Sequence, residues 1–460
     1  MVVLLKIVQV ILALSLLVLF HEFGHYTFAK LFKTRVEKFY LFFNPKRSLL
    51  KIKRFDGKWH CKFFSSNEDP AWNAHPENTE YGIGWLPFGG YCKIAGMIDE
   101  SMDTEAMKLP PQPYEFRTKK AWQRFFIMFG GVLFNFILAI ILYAAILGTW
   151  GEEYLRNEDA VYGVAVNDLS REIGFRHGDR ILAFDGVPTE NFSNLQVDLV
   201  RAQAHEATVL RGGDTLTIAI DPDYLPAMLN TPGMFDLAFP FVVKEVQPDS
   251  PNIGSGLEAG DALVAIDGQE MVIVQQIQEE FQKHRGQTVS ASVRRPASQL
   301  DIPLQVDTAG HIGVLLNTDL NQFFRVTTRE YNFLSAIPAG ARKTWTTIKG
   351  YVQELGLIFS PKTQAYKSVG SFIAIGRIFP DTWDWYKFWT LCALLSIMLG
   401  VMNLLPIPAL DGGHILFLIF EMLTGRKPSD KFMEVAEWIG MALLLMLMVL
   451  AFGNDIRSLF

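Results

Sequence analysis

The chain has 460 residues, half of them hydrophobic, and a formal net charge of −6. That length allows two or three domains, and the apolar share is high for a fully soluble protein. Its three cysteines, Cys61, Cys92 and Cys392, imply no disulfide framework, and no paired Cys-x-x-Cys spacing makes a second metal site of His60, Cys61, His75 and Cys92.

The apolar excess lies in four stretches, Val2 to Phe20, Phe125 to Leu147, Phe388 to Leu405 and Trp438 to Phe452. Each is about long enough to cross a hydrocarbon core, which takes about 20 helical residues with some tolerance. The first has no small-residue cleavage site after it, so it reads as a retained span and not as a signal peptide. It runs directly into His21-Glu22-Phe23-Gly24-His25. Two histidines one helical turn apart point the same way and can hold one zinc, and the glutamate between them is placed to polarise a water. Ionisable residues at the end of an apolar span are costly, which makes them a functional signal.

After this motif come Lys30, Lys33, Arg35, Lys38, Lys46, Arg47, Lys51, Lys53 and Arg54, and before the second span Arg117, Lys119, Lys120 and Arg124. The positive-inside rule puts that loop in the cytoplasm. The N-terminus and the long middle region then lie outside, and Arg426, Lys427 and Lys431 lie inside. Within the loop, Val36 to Phe43, Leu49 to Phe55 and Trp59 to Phe64 read as strands, and the glycine-punctuated run Trp85 to Gly96 reads as a hairpin beside the membrane. The second span carries Gly131-Val-Leu-Phe-Asn135.

The middle region contains an internal repeat: Ile173-Gly-Phe-Arg-His-Gly-Asp-Arg-Ile-Leu-Ala-Phe-Asp-Gly186 is echoed by Ser255-Gly-Leu-Glu-Ala-Gly-Asp-Ala-Leu-Val-Ala-Ile-Asp-Gly268. Each copy enters a strand from a Gly-Asp turn and leaves it by Asp-Gly, a pattern that resembles tandem PDZ domains. Tyr331 to Phe359 is too polar for a span and reads as interfacial helices. At the cytoplasmic end of the third span stands Asn403-Leu-Leu-Pro-Ile-Pro-Ala-Leu-Asp-Gly-Gly-His414, whose prolines break the helix. A catalytic zinc needs a third protein ligand. Chemistry alone allows Asp411, His414 or Glu421.

Taken together, His21 to His25 and Asn403 to Gly412 resemble the zinc and Asn-x-x-Pro-x-Pro-x-Leu-Asp-Gly motifs of the site-2 protease family of intramembrane zinc metalloproteases. The resemblance implies His21, His25 and Asp411 as ligands of Zn2+ and Glu22 as general base. Gly131 to Asn135 resembles the family's Gly-x-x-x-Asn signature, with Val132 where the family usually has proline. Four spans, a basic first loop and paired PDZ-like repeats resemble the bacterial RseP, or regulator-of-sigma-E, branch. Residues 68–80 are additional to that pattern, and the branch's Gly-Pro is absent around Val369-Gly370-Ser371.

The expected fold is thus a polytopic α-helical membrane protein with four transmembrane helices, membrane-associated β-hairpins and two inserted PDZ-like α+β domains. Its expected parts are a first helix with the zinc motif (1–35), a cytoplasmic loop with the hairpins (36–120) and a second helix (121–150). Two PDZ-like domains (155–225 and 236–310), interfacial helices with a connector (326–384), a third helix (385–411) and a fourth (435–454) follow. By the resemblance its activity is regulated intramembrane proteolysis of single-span proteins of anti-sigma-factor type, and of remnant signal peptides, after a first external cut. Asn135 and Asn403 are candidates for hydrogen bonds to substrate or oxyanion, and Gly89, Gly90 and Tyr91 for pairing with substrate backbone. Partners are transmembrane substrates and membrane lipid, with no nucleic acid, and the location is the bacterial inner membrane. A non-catalytic scaffold and a metal transporter are the competing classes; a transporter needs polar residues spread along several spans.

Overall fold

The computed structural model describes residues 2–67, 69–97, 110–296, 298–360, 363 and 370–457. They divide into two compact units, one comprising Met1–Gly151, Glu330–Gly356 and Tyr366–Phe460, the other Glu152–Arg329 and Leu357–Ala365. Among the described residues four helices are long and apolar enough to cross a membrane. Helices and strands of the first unit are numbered in chain order; those of the second are given by their residues.

Helix α1 (Val2–Leu31) continues well past the apolar run, so His21 to His25 lie inside it. Its 30 residues extend about 45 Å, more than a hydrocarbon core of about 30 Å requires. It stops at Lys33, whose left-handed backbone (φ 54°) lets the Thr34 N–H reach the Ala29 carbonyl at 2.8 Å. One residue per turn, Gln9, Ala13, Leu17, His21 and His25, is buried on a single face.

That face meets α2 (Ala121–Trp150). Gly24 and Gly130 permit the approach: a Cβ on Gly24 would lie 2.1 Å from the Gly130 carbonyl oxygen. On its other side α2 packs on α5 (Trp385–Leu404), where Ser396 Oγ donates to the Asn135 carbonyl at 2.8 Å. The segment expected as interfacial helices contains one long helix, α3 (Phe333–Phe359), with Pro338 in its second turn. Gly340 brings it onto the end of α2, since a Cβ there would lie 2.6 Å from the Ala144 nitrogen. A short α4 (Phe372–Ile378) precedes α5.

The third span ends earlier than expected. Pro406 and Pro408 cannot supply the amide hydrogens a continuing helix needs, so α5 stops at Leu404 and a new helix, α6 (Asp411–Thr424), begins at Asp411. This helix was not expected from the sequence. Helix α7 (Asp430–Arg457) closes on the break: a Cβ on Gly440 would lie 1.7 Å from the Pro408 carbonyl oxygen.

Between α1 and α2 the chain forms a five-stranded sheet in the order β3-β2-β4-β1-β5. The strands are β1 (Val36–Phe43), β2 (Arg47–Phe55), β3 (Lys58–Ser66), β4 (Glu80–Ile83) and β5 (Leu86–Ile94). The additional segment, residues 68–80, leads into β4, which runs parallel to β1 and antiparallel to β2. Its Trp72 is buried, with the Lys51 ammonium 4.6 Å from its ring centre and the Lys53 ammonium donating to its carbonyl at 2.9 Å. The hairpin expected over Trp85 to Gly96 is instead a single edge strand, antiparallel to β1. Gly89 and Gly90 do not turn the chain; they allow close packing, because a Cβ on Gly89 would lie 2.7 Å from the Phe43 ring and one on Gly90 2.8 Å from the Tyr40 carbonyl oxygen.

In the second unit each repeat has a four-stranded sheet and a separate two-stranded ribbon. The cores centre on Phe175, Ile181 and Leu199, and on Leu263, Ile277 and Phe281. The repeated Gly-Asp proves to be an arginine socket. Asp179 takes bonds of 2.7 and 2.7 Å from Arg211, and Asp261 takes bonds of 2.6 and 2.9 Å from Arg295. Both repeats extend past their expected ends. Phe235–Leu237 pairs with Val164–Val166 beyond residue 225, and Val314–Leu316 pairs with Val243–Val246 beyond residue 310. The whole unit opens and closes on one antiparallel pair, Glu152–Leu155 with Val326–Arg329.

Candidate metal centre

Helical spacing stacks His21 above His25, and α2 lies so close that only glycine fits beneath them. A Cβ on Gly131 would lie 2.4 Å from His25 Nε2 and 2.6 Å from His21 Cε1. One turn before Gly131, the Ile127 carbonyl is 2.8 Å from His25 Nδ1. A carbonyl only accepts, so the proton of a neutral His25 is on Nδ1 and Nε2 presents its lone pair. One turn after Gly131, Asn135 Nδ2 is 3.2 Å from His21 Nδ1.

Asp411, the first residue of α6, completes the cluster. Its Oδ2 is 3.2 Å from His21 Nε2 and 3.3 Å from His25 Nε2, and the two Nε2 atoms are 3.2 Å apart. Tetrahedral zinc with bonds of about 2.0–2.1 Å separates its ligand atoms by roughly 3.3 Å. Asp411 Oδ2 is buried without a hydrogen-bond partner, as an atom facing a cation would be. Two imidazoles and one carboxylate also form the donor set of a catalytic zinc that keeps a position open. The residues present therefore fit the metal, and among the described residues no other group of His, Cys, Asp and Glu converges in this way.

The alternatives left open by the sequence are engaged elsewhere. His414 Nε2 pairs with Glu437 of α7 at 2.7 Å, and Glu421 pairs with Arg124 of α2 at 2.5 Å. His60 and His75 stack on the two rings' common neighbour, Phe55, with centroids 3.8 and 4.9 Å away.

Glu22 sits beside the cluster, and its carboxylate accepts from the backbone N–H of Cys92 on β5. Strand β5 also touches α1 one turn earlier, since a Cβ on Gly90 would lie 3.0 Å from Val18. The Tyr91 side chain turns into the sheet, donating to Asn44 Oδ1 at 2.9 Å and stacking on Tyr40. Asn403 is in the last turn of α5, partly exposed. The Ile127 carbonyl and Cys92 amide carry no side-chain signature, so no reading of the sequence finds them. Gly131 was visible only as part of a motif.

A sequence model of peptidase family M50 matches residues 9–65 and 69–447. The chain belongs to peptidase family M50. It is 29% identical to the regulator of sigma-E protease RseP of Salmonella typhimurium over 98% of both chains. It is 28% identical to RseP of Escherichia coli, again over 98% of each. A putative zinc metalloprotease of Xylella fastidiosa is 28% identical over 97% of each chain. A solved PDZ domain, from an SdrC-like protein of Listeria monocytogenes, matches 17% of this chain and 90% of its own at 26% identity, with a TM-score of 0.16. This M50 chain is a zinc metalloprotease with Zn2+ as its cofactor. The family and its relatives, with four helices long enough to cross a membrane among the described residues, make it an intramembrane protease.

Proposed function

We propose that the zinc is held by His21, His25 and Asp411, with Glu22 as general base. The observation that carries this reading is the arrival of Asp411, from the far end of the chain, within 3.2–3.3 Å of both imidazoles. When bound there, zinc supplies a Lewis acid for the scissile carbonyl and its oxyanion. Glu22 takes the proton of the attacking water on its carboxylate and delivers it to the leaving amine. A helical substrate hides its amides in its own hydrogen bonds, so it must unwind before it is cut. As the edge strand of its sheet, β5 supplies replacement partners by strand addition, near the point where it passes Glu22.

The substrates in this reading are single-span membrane proteins already shortened by an external protease, of anti-sigma-factor type, and remnant signal peptides. The names of the Salmonella and Escherichia relatives support a sigma-factor pathway. The charge pattern supports an inner-membrane protein whose N-terminus and PDZ-like repeats face the periplasm, with the zinc towards the cytoplasmic side. Cleavage of a membrane-embedded model peptide by the purified chain tests the chemistry. Glu22→Gln should keep zinc and lose turnover, and turnover at the parent rate would sink the assignment.

A further inference from the structure

Asn135 is fully buried in the middle of α2, and two of its contacts join three helices. Its carbonyl accepts from Ser396 of α5, and its amide lies 3.2 Å from Nδ1 of His21 on α1. The end of the amide placed there is Nδ2, while Oδ1 is buried with no partner. An N–H donated to Nδ1 leaves a neutral His21 with its proton on Nε2, the atom that faces Asp411 and His25. Nε2 then has no lone pair to give. The two ends of a primary amide have the same shape, so hydrogen bonding decides which end faces a partner. Reversing the amide lets Oδ1 accept from Nδ1–H and frees Nε2. It also gives the oxygen a partner, with the NH2 group taking the oxygen's former place.

His25 already has this arrangement, with Nδ1 set by the Ile127 carbonyl. His21 has no backbone carbonyl in that place, and Asn135 stands where one would be. Metal-ligating histidines generally donate their second ring N–H to an oxygen that fixes tautomer and ring orientation.

We propose that Asn135 is a positioning residue for His21: its amide oxygen accepts the Nδ1 proton and holds Nε2 free for zinc, so it acts through the ligand and not on the substrate. Ser396 anchors the turn of α2 that carries it. This rests on the zinc assignment to His21, His25 and Asp411.

The test is zinc affinity of the purified full chain, by competition with a chromophoric chelator, alongside cleavage at limiting and saturating zinc. Asn135→Leu, of similar size and without an acceptor, should bind zinc about 10- to 100-fold more weakly and recover cleavage as zinc is added. Asn135→Asp, a carboxylate whose oxygens only accept, should bind at least as tightly as the parent. Parent-like zinc affinity in Asn135→Leu, with kcat lost at saturating zinc, would overturn the proposal and put Asn135 on the substrate. If the Leu variant does not fold, Asn135→Asp decides alone, and a folded Asp variant with weakened zinc overturns it. His25→Ala marks the other failure: zinc bound there as tightly as in the parent would show that the metal assignment itself is wrong.

Discussion

Gly131 and His25 stand closer than any side chain at position 131 would allow, with 2.4 Å between a hypothetical Cβ and His25 Nε2. Gly131→Ala must therefore push α2 from α1 or rotate the imidazole. A displacement of about 1 Å at reacting groups costs on the order of 100-fold in rate. The expected result is a loss of that size in cleavage with reduced zinc content, and a variant with full zinc and rate would show that the helices are not held at this spacing.

The three side chains that chemistry alone allows as third ligand have separate fates. Asp411→Ala should release zinc and abolish cleavage. His414→Ala and Glu421→Gln break pairs with Glu437 and Arg124 and should lower thermal stability while zinc stays bound. Metal analysis of the three purified variants separates these outcomes.

The Cys92 amide is the contact between β5 and Glu22. Cys92→Pro removes that N–H, whereas Cys92→Ser keeps it. Cleavage should fall in the proline variant and persist in the serine variant, with zinc retained in both. Equal rates in the two would take the strand edge out of the reaction.

In the second repeat, burial works to raise the pKa of Asp261, but the Arg295 bonds and the Glu258 N–H outweigh it and hold the carboxyl below its ordinary 3.8. A carboxyl depressed in the folded state contributes stability that is complete above its unfolded value and is lost as pH falls through its folded one. Asp261→Asn should therefore speed hydrogen exchange in Thr288–Arg295 at neutral pH. The difference from the parent should shrink only as the pH falls through that depressed folded pKa, and vanish below it, where both side chains are neutral. A difference that persisted undiminished in acid would mean that charge is not what the socket uses.

The PDZ-like pair admits two roles, a steric gate against substrates with large external domains or a groove that captures new C-termini. We expect the gate. Leu155 faces Val326 in the ladder that closes the unit, so an Asn-Gly turn joining these two residues replaces the repeats with a hairpin. The shortened enzyme should cut untrimmed substrate that the parent leaves intact. Slower cutting of trimmed substrate, with untrimmed substrate still resistant, would favour capture.

Much of the fold and of the site was legible because the signals are local: a four-residue histidine spacing and a pair of prolines for the site, and a Gly-Asp repeat for the second unit. The choice of Asp411 over His414 and Glu421 was not legible without the family resemblance, because Glu437 and Arg124, the partners that occupy the other two, lie on helices packed by tertiary structure. Gly89-Gly90 looked like a turn because glycine pairs favour turns. The Phe43 ring and Tyr40 carbonyl, which crowd those two positions, belong to a neighbouring strand. The ends of the repeats escaped notice because Phe235–Leu237 and Val314–Leu316 are three-residue strands, too short to show alternation.

The strand pair Glu152–Leu155 with Val326–Arg329 also bears on how so large an insertion is tolerated. Paired residues in an antiparallel ladder have Cα atoms about 4.5–5.5 Å apart, so the chain leaves α2 and returns towards α3 through almost the same point. Closing a flexible loop becomes costlier with length, although only logarithmically. Here the ladder meets that cost within the insert itself. To the helices on either side, everything between Leu155 and Val326 is thermodynamically a short loop, and its contents can change without altering the entropy of bringing those helices together.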